Sequence, residues 1–129
     1  MATPRLRSPL SRAIGLGSAK EGVEHWWAQR VTALALVPLA LWFVIAVIEL
    51  AGADRALFVD WVRRPMSAVF LVLLLIATFY HGALGLQVVI EDYVENETVR
   101  LGLLIVMRLA AILFAVRGIL AVLKLSLGA

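Results

Sequence analysis

The stretch MSAVFLVLLLIATFYHGALGLQVVIEDY, residues 66–93, decides the fold. From Met66 to Ile90 it holds no Lys, Arg, Asp or Glu, and polarity returns only at Glu91, Asp92 and Tyr93. About 20 apolar residues cross a hydrocarbon core as a helix, so residues 66–90 read as a transmembrane span. Two similar runs flank it. From Val31 to Leu50 the only charge is Glu49 at the far edge, and a helix of that length rises about 30 Å. Pro38 is tolerable inside it, because neighbouring helices can satisfy the carbonyl it frees. Leu101 to Leu123 forms the third run, closed by Lys124. The expectation is an all-α membrane protein with transmembrane helices at 31–50, 66–90 and 101–123.

Composition agrees with lipid. The chain has 129 residues, 63% of them hydrophobic, with a mean hydropathy of +0.96. A soluble domain of this size has too much exterior to hide so much apolar surface. There is no cysteine, which excludes disulfides, iron–sulfur clusters and thiolate zinc sites built from this chain. The net charge of +3 does not mark a nucleic-acid binder, because five of the twelve basic residues (Arg5, Arg7, Arg12, Lys20, Arg30) precede the first apolar run. A basic leader ahead of a hydrophobic helix is a topology signal.

The flanks complete the layout. Residues 1–30 read as a basic cytoplasmic tail, broken by Pro4, Pro9, Gly15 and Gly17, followed by an interfacial segment (EGVEHWWAQR) with Trp26 and Trp27 at the membrane surface. Ala51-Gly52-Ala53 resembles a signal-peptidase site, but a signal peptide has a short leader and an apolar region of roughly 7–15 residues. The first helix is therefore expected to be retained. Residues 51–65 form a polar connection with a short interfacial helix around Trp61, and Pro65 sits where a helix can begin. Residues 91–100 read as a tight acidic turn. Six Lys and Arg flank one side (the leader and Arg100) and four the other (Arg55, Arg63, Arg64, Lys124). That balance and the first helix place the amino terminus in the cytoplasm. No internal repeat is visible.

His81 carries the most information. It stands twelve residues before Tyr93, hence about 18 Å from that end of the helix. An ionisable group at mid-bilayer is costly and is a functional hypothesis by default. Two readings stand: an interhelical hydrogen bond, or an axial ligand to haem iron. Gly82 and Gly85 remove bulk beside it, either for a flat macrocycle or for close helix packing. At about 100° per residue, His81, Gly85, Val88 and Asp92 share one stripe. A bis-histidine haem needs a second histidine at this depth, and the chain has only His25, before the first span. Met107 is a conceivable alternative ligand, although methionine in an apolar helix usually packs. If His81 holds haem, its counterpart is expected on another subunit.

Other polar groups carry weaker signals. Tyr93 suits the aromatic belt, and its phenol can also donate a hydrogen bond to a quinone carbonyl, with Asp92 beside it. Arg30 starts the first helix at the membrane level of Tyr93 and serves topology, pairs with a haem propionate or steadies the quinone site. Arg108 and Arg117 lie inside the third span, where each costs about 2.5–3.5 kcal/mol if central. They project from opposite faces and either snorkel to the two interfaces or contact a neighbouring chain.

Taken together, these residues resemble the small membrane-anchor subunits (cytochrome b small subunits) of succinate dehydrogenase, respiratory complex II, in their bacterial form. The resemblance rests on Gly22-Val23 with Arg30-Val31-Thr32-Ala33 leading into the first helix, on His81-Gly82 with Gly85 and Asp92-Tyr93 in the second, and on the leader SPLSRAIGLGSAKEG. It covers residues 8 to about 125. It implies that His81 is the haem b ligand, that Arg30 lies near the haem propionates, and that Tyr93 with Asp92 contacts ubiquinone. Where some members place a histidine directly after the Gly-Val pair, this chain has Glu24, with His25 following. The implied partners are a second membrane-anchor subunit (the cytochrome b large subunit) completing the helix bundle and the haem, an iron–sulfur subunit and a flavoprotein. The implied setting is the bacterial inner membrane, and succinate oxidation would belong to the other subunits. Two other readings are an anchor of a quinol:fumarate reductase and a non-catalytic membrane scaffold without haem.

Overall fold

The computed structural model describes residues 20–128; the expected tail from residue 1 to 19, with Pro4, Pro9, Gly15 and Gly17, lies outside the described residues. Four helices make up the described chain: α1 (Lys20–Glu49), α2 (Arg55–Arg63), α3 (Pro65–Tyr93) and α4 (Glu97–Leu127). Helix α1 begins well before the apolar run, so the segment 21–30 is continuous helix rather than a separate approach. Its Glu, Ala, Gln and Arg residues are strong helix formers, and no breaker separates them from the apolar run.

Each junction has a local cause. Gly52 adopts φ +82, a left-handed turn that glycine enters without steric cost. Asp54 then caps α2, its Oδ1 accepting a hydrogen bond from the Leu57 N–H at 2.9 Å. The expected short interfacial helix around Trp61 is this α2. Arg64 is extended (ψ 127) because it precedes a proline, and Pro65 opens α3 at its first position. The acidic stretch 91–100 is mostly helical, contrary to the expectation of a turn. Only Val94–Asn96 is non-helical, because Asn96 Oδ1 accepts from the Val99 N–H at 3.1 Å and Glu97 sits in the first turn of α4. Lys124 lies in the last turn of α4, and Gly128 closes it at φ +73.

Helix α3 is the centre of the packing. Both α1 and α4 lie against it and not against each other, while α2 folds across α3 and α4. The tightest region is the end opposite Tyr93, where Ala46, Val62, Ser67 and Ala68 are buried. There Trp42 of α1 stacks on Trp61 of α2 (5.6 Å between centroids) and meets Phe70 of α3 edge-on (5.2 Å). Aromatic pairs of this kind contribute about 0.5–1.5 kcal/mol each beyond burial. One cluster thus ties three helices together.

Elsewhere the apolar side chains face outward. Of the most hydrophobic stretch of each long helix, only 6%, 11% and 0% of residues are buried. In water such a surface would not persist; in lipid it is the expected exterior. The chain is a multi-pass membrane protein with three spans, as the sequence predicts.

Small residues set the close approach of α4 to α3. A Cβ on Gly118 would lie 3.1 and 3.2 Å from the two methyl carbons of Leu75, whereas one on Gly102 would meet nothing within 4 Å. Gly118→Val should therefore destabilise the isolated chain in detergent by about 1–3 kcal/mol through overpacking. Gly102→Val should leave the thermal midpoint nearly unchanged, and equal losses at both positions would contradict this account.

Candidate functional site

His81 sits on the α3 face that meets α1. Its Nδ1 lies 2.9 Å from Oγ1 of Thr32, which is on α1. Thr32 also donates its hydroxyl proton back along its own helix, toward the carbonyl oxygens of Ala28 at 2.6 Å and Gln29 at 3.1 Å. So one ring nitrogen of His81 makes an interhelical hydrogen bond, which is the plainer of the two sequence readings. The other nitrogen, Nε2, has no hydrogen-bond partner among the described residues. The two readings are thus compatible, because the ring has one nitrogen for each.

The glycines beside His81 do not serve helix packing within this chain. A Cβ on Gly82 would meet nothing within 4 Å, and one on Gly85 would reach only Gln29 Nε2 at 4.0 Å. Close packing is the job of Gly118 instead. The space at Gly82 opens on the exposed side of α3 toward Met107 and Phe114 of α4, and not on the His81 ring, which faces α1. Among the described residues no three His, Cys, Asp or Glu side chains gather into a metal cage. A metal at His81 would have to bring most of its own ligands, as a macrocycle does.

The remaining expected residues are more dispersed. Asp92 follows His81 by eleven residues, about 16 Å along the same stripe. Tyr93 ends the helix and is 82% exposed. Arg30 is two residues from Thr32 and so points to nearly the opposite side of α1. Its guanidinium lies 5.4 Å from the Trp26 ring centroid, a cation–π contact at the helix surface. The structure therefore does not bring Arg30 against His81 within this chain. His25 lies seven residues before Thr32, about 10 Å along α1, so the two histidines occupy different depths.

Residues outside the expected set also matter here. A cleft of about 610 Å³ opens beside α3 between α1 and α4, with Glu24, His25, Gln87 and Arg108 toward one end and Ile76 and Ile112 toward the other. The Nε2 of His25 is buried with no hydrogen-bond partner among the described residues. Arg108 donates from Nη2 to Oε1 of Gln87 at 3.0 Å, and Gln87 donates from Nε2 to Oε1 of Glu91 at 2.8 Å. This chain of contacts lets an intramembrane arginine lean toward the helix end that carries the carboxylate. A second cleft of about 250 Å³ lies by Gly82, with Met107 and Phe114 in its wall. Neither cleft is lined by His81, Asp92 or Tyr93. In the sequence Thr32 and Gln87 are uncharged polar residues within apolar runs, a signal too common to single them out.

Fold and polar set together define an all-helical, three-span membrane protein with one histidine deep in its central helix. The family described as succinate dehydrogenase/fumarate reductase transmembrane subunit matches residues 4–117. The chain is 37% identical over 116 residues to the succinate dehydrogenase hydrophobic membrane anchor subunit of Rickettsia bellii (strain RML369-C), covering 90% of this chain and 93% of that protein. It is 35% identical over 112 residues to the protein of the same name from Paracoccus denitrificans, covering 87% and 80%. The chain belongs to the succinate dehydrogenase/fumarate reductase transmembrane subunit family, on the side of its succinate dehydrogenase membrane anchors.

The Gln87 network has its own consequence. Gln87→Leu strips Arg108 of its acceptor inside the span and should lower stability in detergent by about 1 kcal/mol. Adding Arg108→Leu removes the stranded charge, so the double variant should regain that loss. Additive losses in the two variants would show that the residues do not interact.

Proposed function

We propose that this chain is one of two membrane anchors of a succinate:ubiquinone oxidoreductase, that its His81 would be one of the residues holding a shared haem b, and that it forms part of the ubiquinone-reduction site. The observation that carries this reading is the state of His81. It lies deep in a span, it is held through Nδ1 by Thr32, and its Nε2 has no hydrogen-bond partner among the described residues. A haem b held there would supply one-electron relay between the soluble redox centres and the quinone. His25 is too distant in depth to serve as the second ligand, so that ligand comes from the partner anchor subunit.

The chain's own residues then divide the work. His81 would offer its Nε2 to the haem iron, with the ring oriented at Nδ1 by Thr32. Arg30 is the cation available at the membrane surface for a propionate, exchanging its contact with Trp26 for a charge-assisted one. Tyr93, exposed at the end of α3, would donate a hydrogen bond from its phenol to a quinone carbonyl, with the Asp92 carboxylate orienting nearby groups or water. The three spans hold the flavoprotein and iron–sulfur subunits at the membrane, and those subunits carry out succinate oxidation. The excess of Lys and Arg on the Tyr93 side supports a cytoplasmic Tyr93 end and amino terminus, and the setting on this reading is a bacterial inner membrane.

The reverse reaction, fumarate reduction by a quinol, is the weaker reading, because the relatives matched here carry the succinate dehydrogenase name. A scaffold without haem is excluded by a positive outcome of the following test. His81→Ala should abolish the b-type reduced-minus-oxidised spectrum of the purified complex and its haem content; an unchanged spectrum would refute the ligand assignment. Tyr93→Phe should slow quinone reduction about tenfold, the worth of about one hydrogen bond in the transition state. Electron transfer to a soluble dye should stay near normal. Equal losses in both assays would mean assembly damage and would count against the quinone contact.

A further inference from the structure

We infer that Thr32 is the positioning residue of His81: its hydroxyl fixes the ring's tautomer and makes its Nε2 a stronger ligand. The inference rests on the proposed role of His81 as a haem ligand and adds a specific chemical cause for it. A threonine hydroxyl has one proton and two lone pairs. At Thr32 that proton is committed to the helix's own backbone, with Ala28 O at 2.6 Å and Gln29 O at 3.1 Å. This is the back-bond that helical Ser and Thr residues commonly make. What Oγ1 offers His81 at 2.9 Å is therefore a lone pair.

The consequence falls on the ring. Only the tautomer with hydrogen on Nδ1 can donate to that lone pair, and in that tautomer Nε2 is unprotonated. The lone pair of Nε2 is then available for a metal without any proton first having to leave. Donation from Nδ1–H to an oxygen also raises the electron density on Nε2, the usual effect of an outer partner on a ligating histidine. Thr32 is stiff about its first side-chain torsion, and the back-bond fixes the hydroxyl further. The ring direction on α3 is thereby set by a residue of α1. No other side-chain hydrogen bond joins these two helices among the described residues. The alternative arrangement, in which Oγ1 donates to an unprotonated Nδ1, would release both backbone acceptors and leave Nε2 protonated.

Two variants separate the hydroxyl from the shape of the side chain. Thr32→Val keeps the branched outline and removes the oxygen; Thr32→Ser keeps the oxygen and removes a methyl. In the purified complex, Thr32→Val should reduce haem affinity about 10–100-fold, as loss of such a partner typically does. It should also raise the haem midpoint potential, because a weaker donor stabilises ferric iron less, and alter the low-spin ferric electron paramagnetic resonance signal. Thr32→Ser should keep haem content, potential and signal near wild type. The full chain in detergent, labelled with 15N-histidine and free of haem, provides a readout independent of assembly. His81 should be the Nδ1–H tautomer in wild type and Thr32→Ser and should lose that preference in Thr32→Val. Unchanged haem affinity, potential and tautomer in Thr32→Val would overturn the inference, as would equal damage in Thr32→Ser. If His81→Ala removes haem while Thr32→Val changes nothing, only the positioning role falls. If His81→Ala retains haem, the ligand reading fails and takes this inference with it.

Discussion

The hydrogen bond between His81 and Thr32 is the constraint around which the site end of the molecule is organised. In the hydrocarbon core an imidazole has no water to turn to, so one of its nitrogens must find a partner within the protein. Thr32 provides that partner from the neighbouring span at 2.9 Å. The threonine is itself satisfied by its own helix, so the contact strands no donor. Because α1 and α4 both lean on α3 and not on each other, the α1–α3 seam is where a shift of the first span would be felt by the histidine. Architecture and proposed chemistry therefore meet in a single interhelical bond.

The two ends of the bundle are built differently. At the far end Trp42, Trp61 and Phe70 lock α1, α2 and α3 into one aromatic cluster, and Val62 is only 1% exposed. At the other end the helices part around a cleft whose polar members are Glu24, His25, Gln87 and Arg108. Rigid packing and open space are thus segregated along the bundle axis.

Much of the fold is legible without coordinates. Apolar runs long enough to cross a bilayer, the proline at the start of α3 and the turn glycine Gly52 act locally, and local rules read them. Expectation and structure part where two tendencies compete. The stretch 91–100 reads as a turn by its acidity, but Asn96 and Glu97 are also good residues for starting a helix, and only Val94–Asn96 escapes helix formation. Residues 21–30 read as a separate approach because of their polarity, yet polar helix formers simply extend α1. The glycines differ for another reason. Gly82 and Gly85 are open to a packing role on sequence grounds, and it is Gly118, against Leu75, that carries it.

By itself the sequence determined that the chain crosses a membrane three times and that His81 lies deep in the second crossing, since both follow from length, charge and spacing along one helix. It also determined that His25 stands apart from His81, for a register cannot be bent to bring the two to one depth. Only the tertiary structure decided which groups meet between helices. It placed Thr32 at the His81 ring, turned Arg30 toward Trp26, and linked Arg108 through Gln87 to Glu91. Those choices depend on the rotation of each helix about its own axis. Nearly uniform apolar runs leave that rotation unmarked in the sequence, and packing sets it.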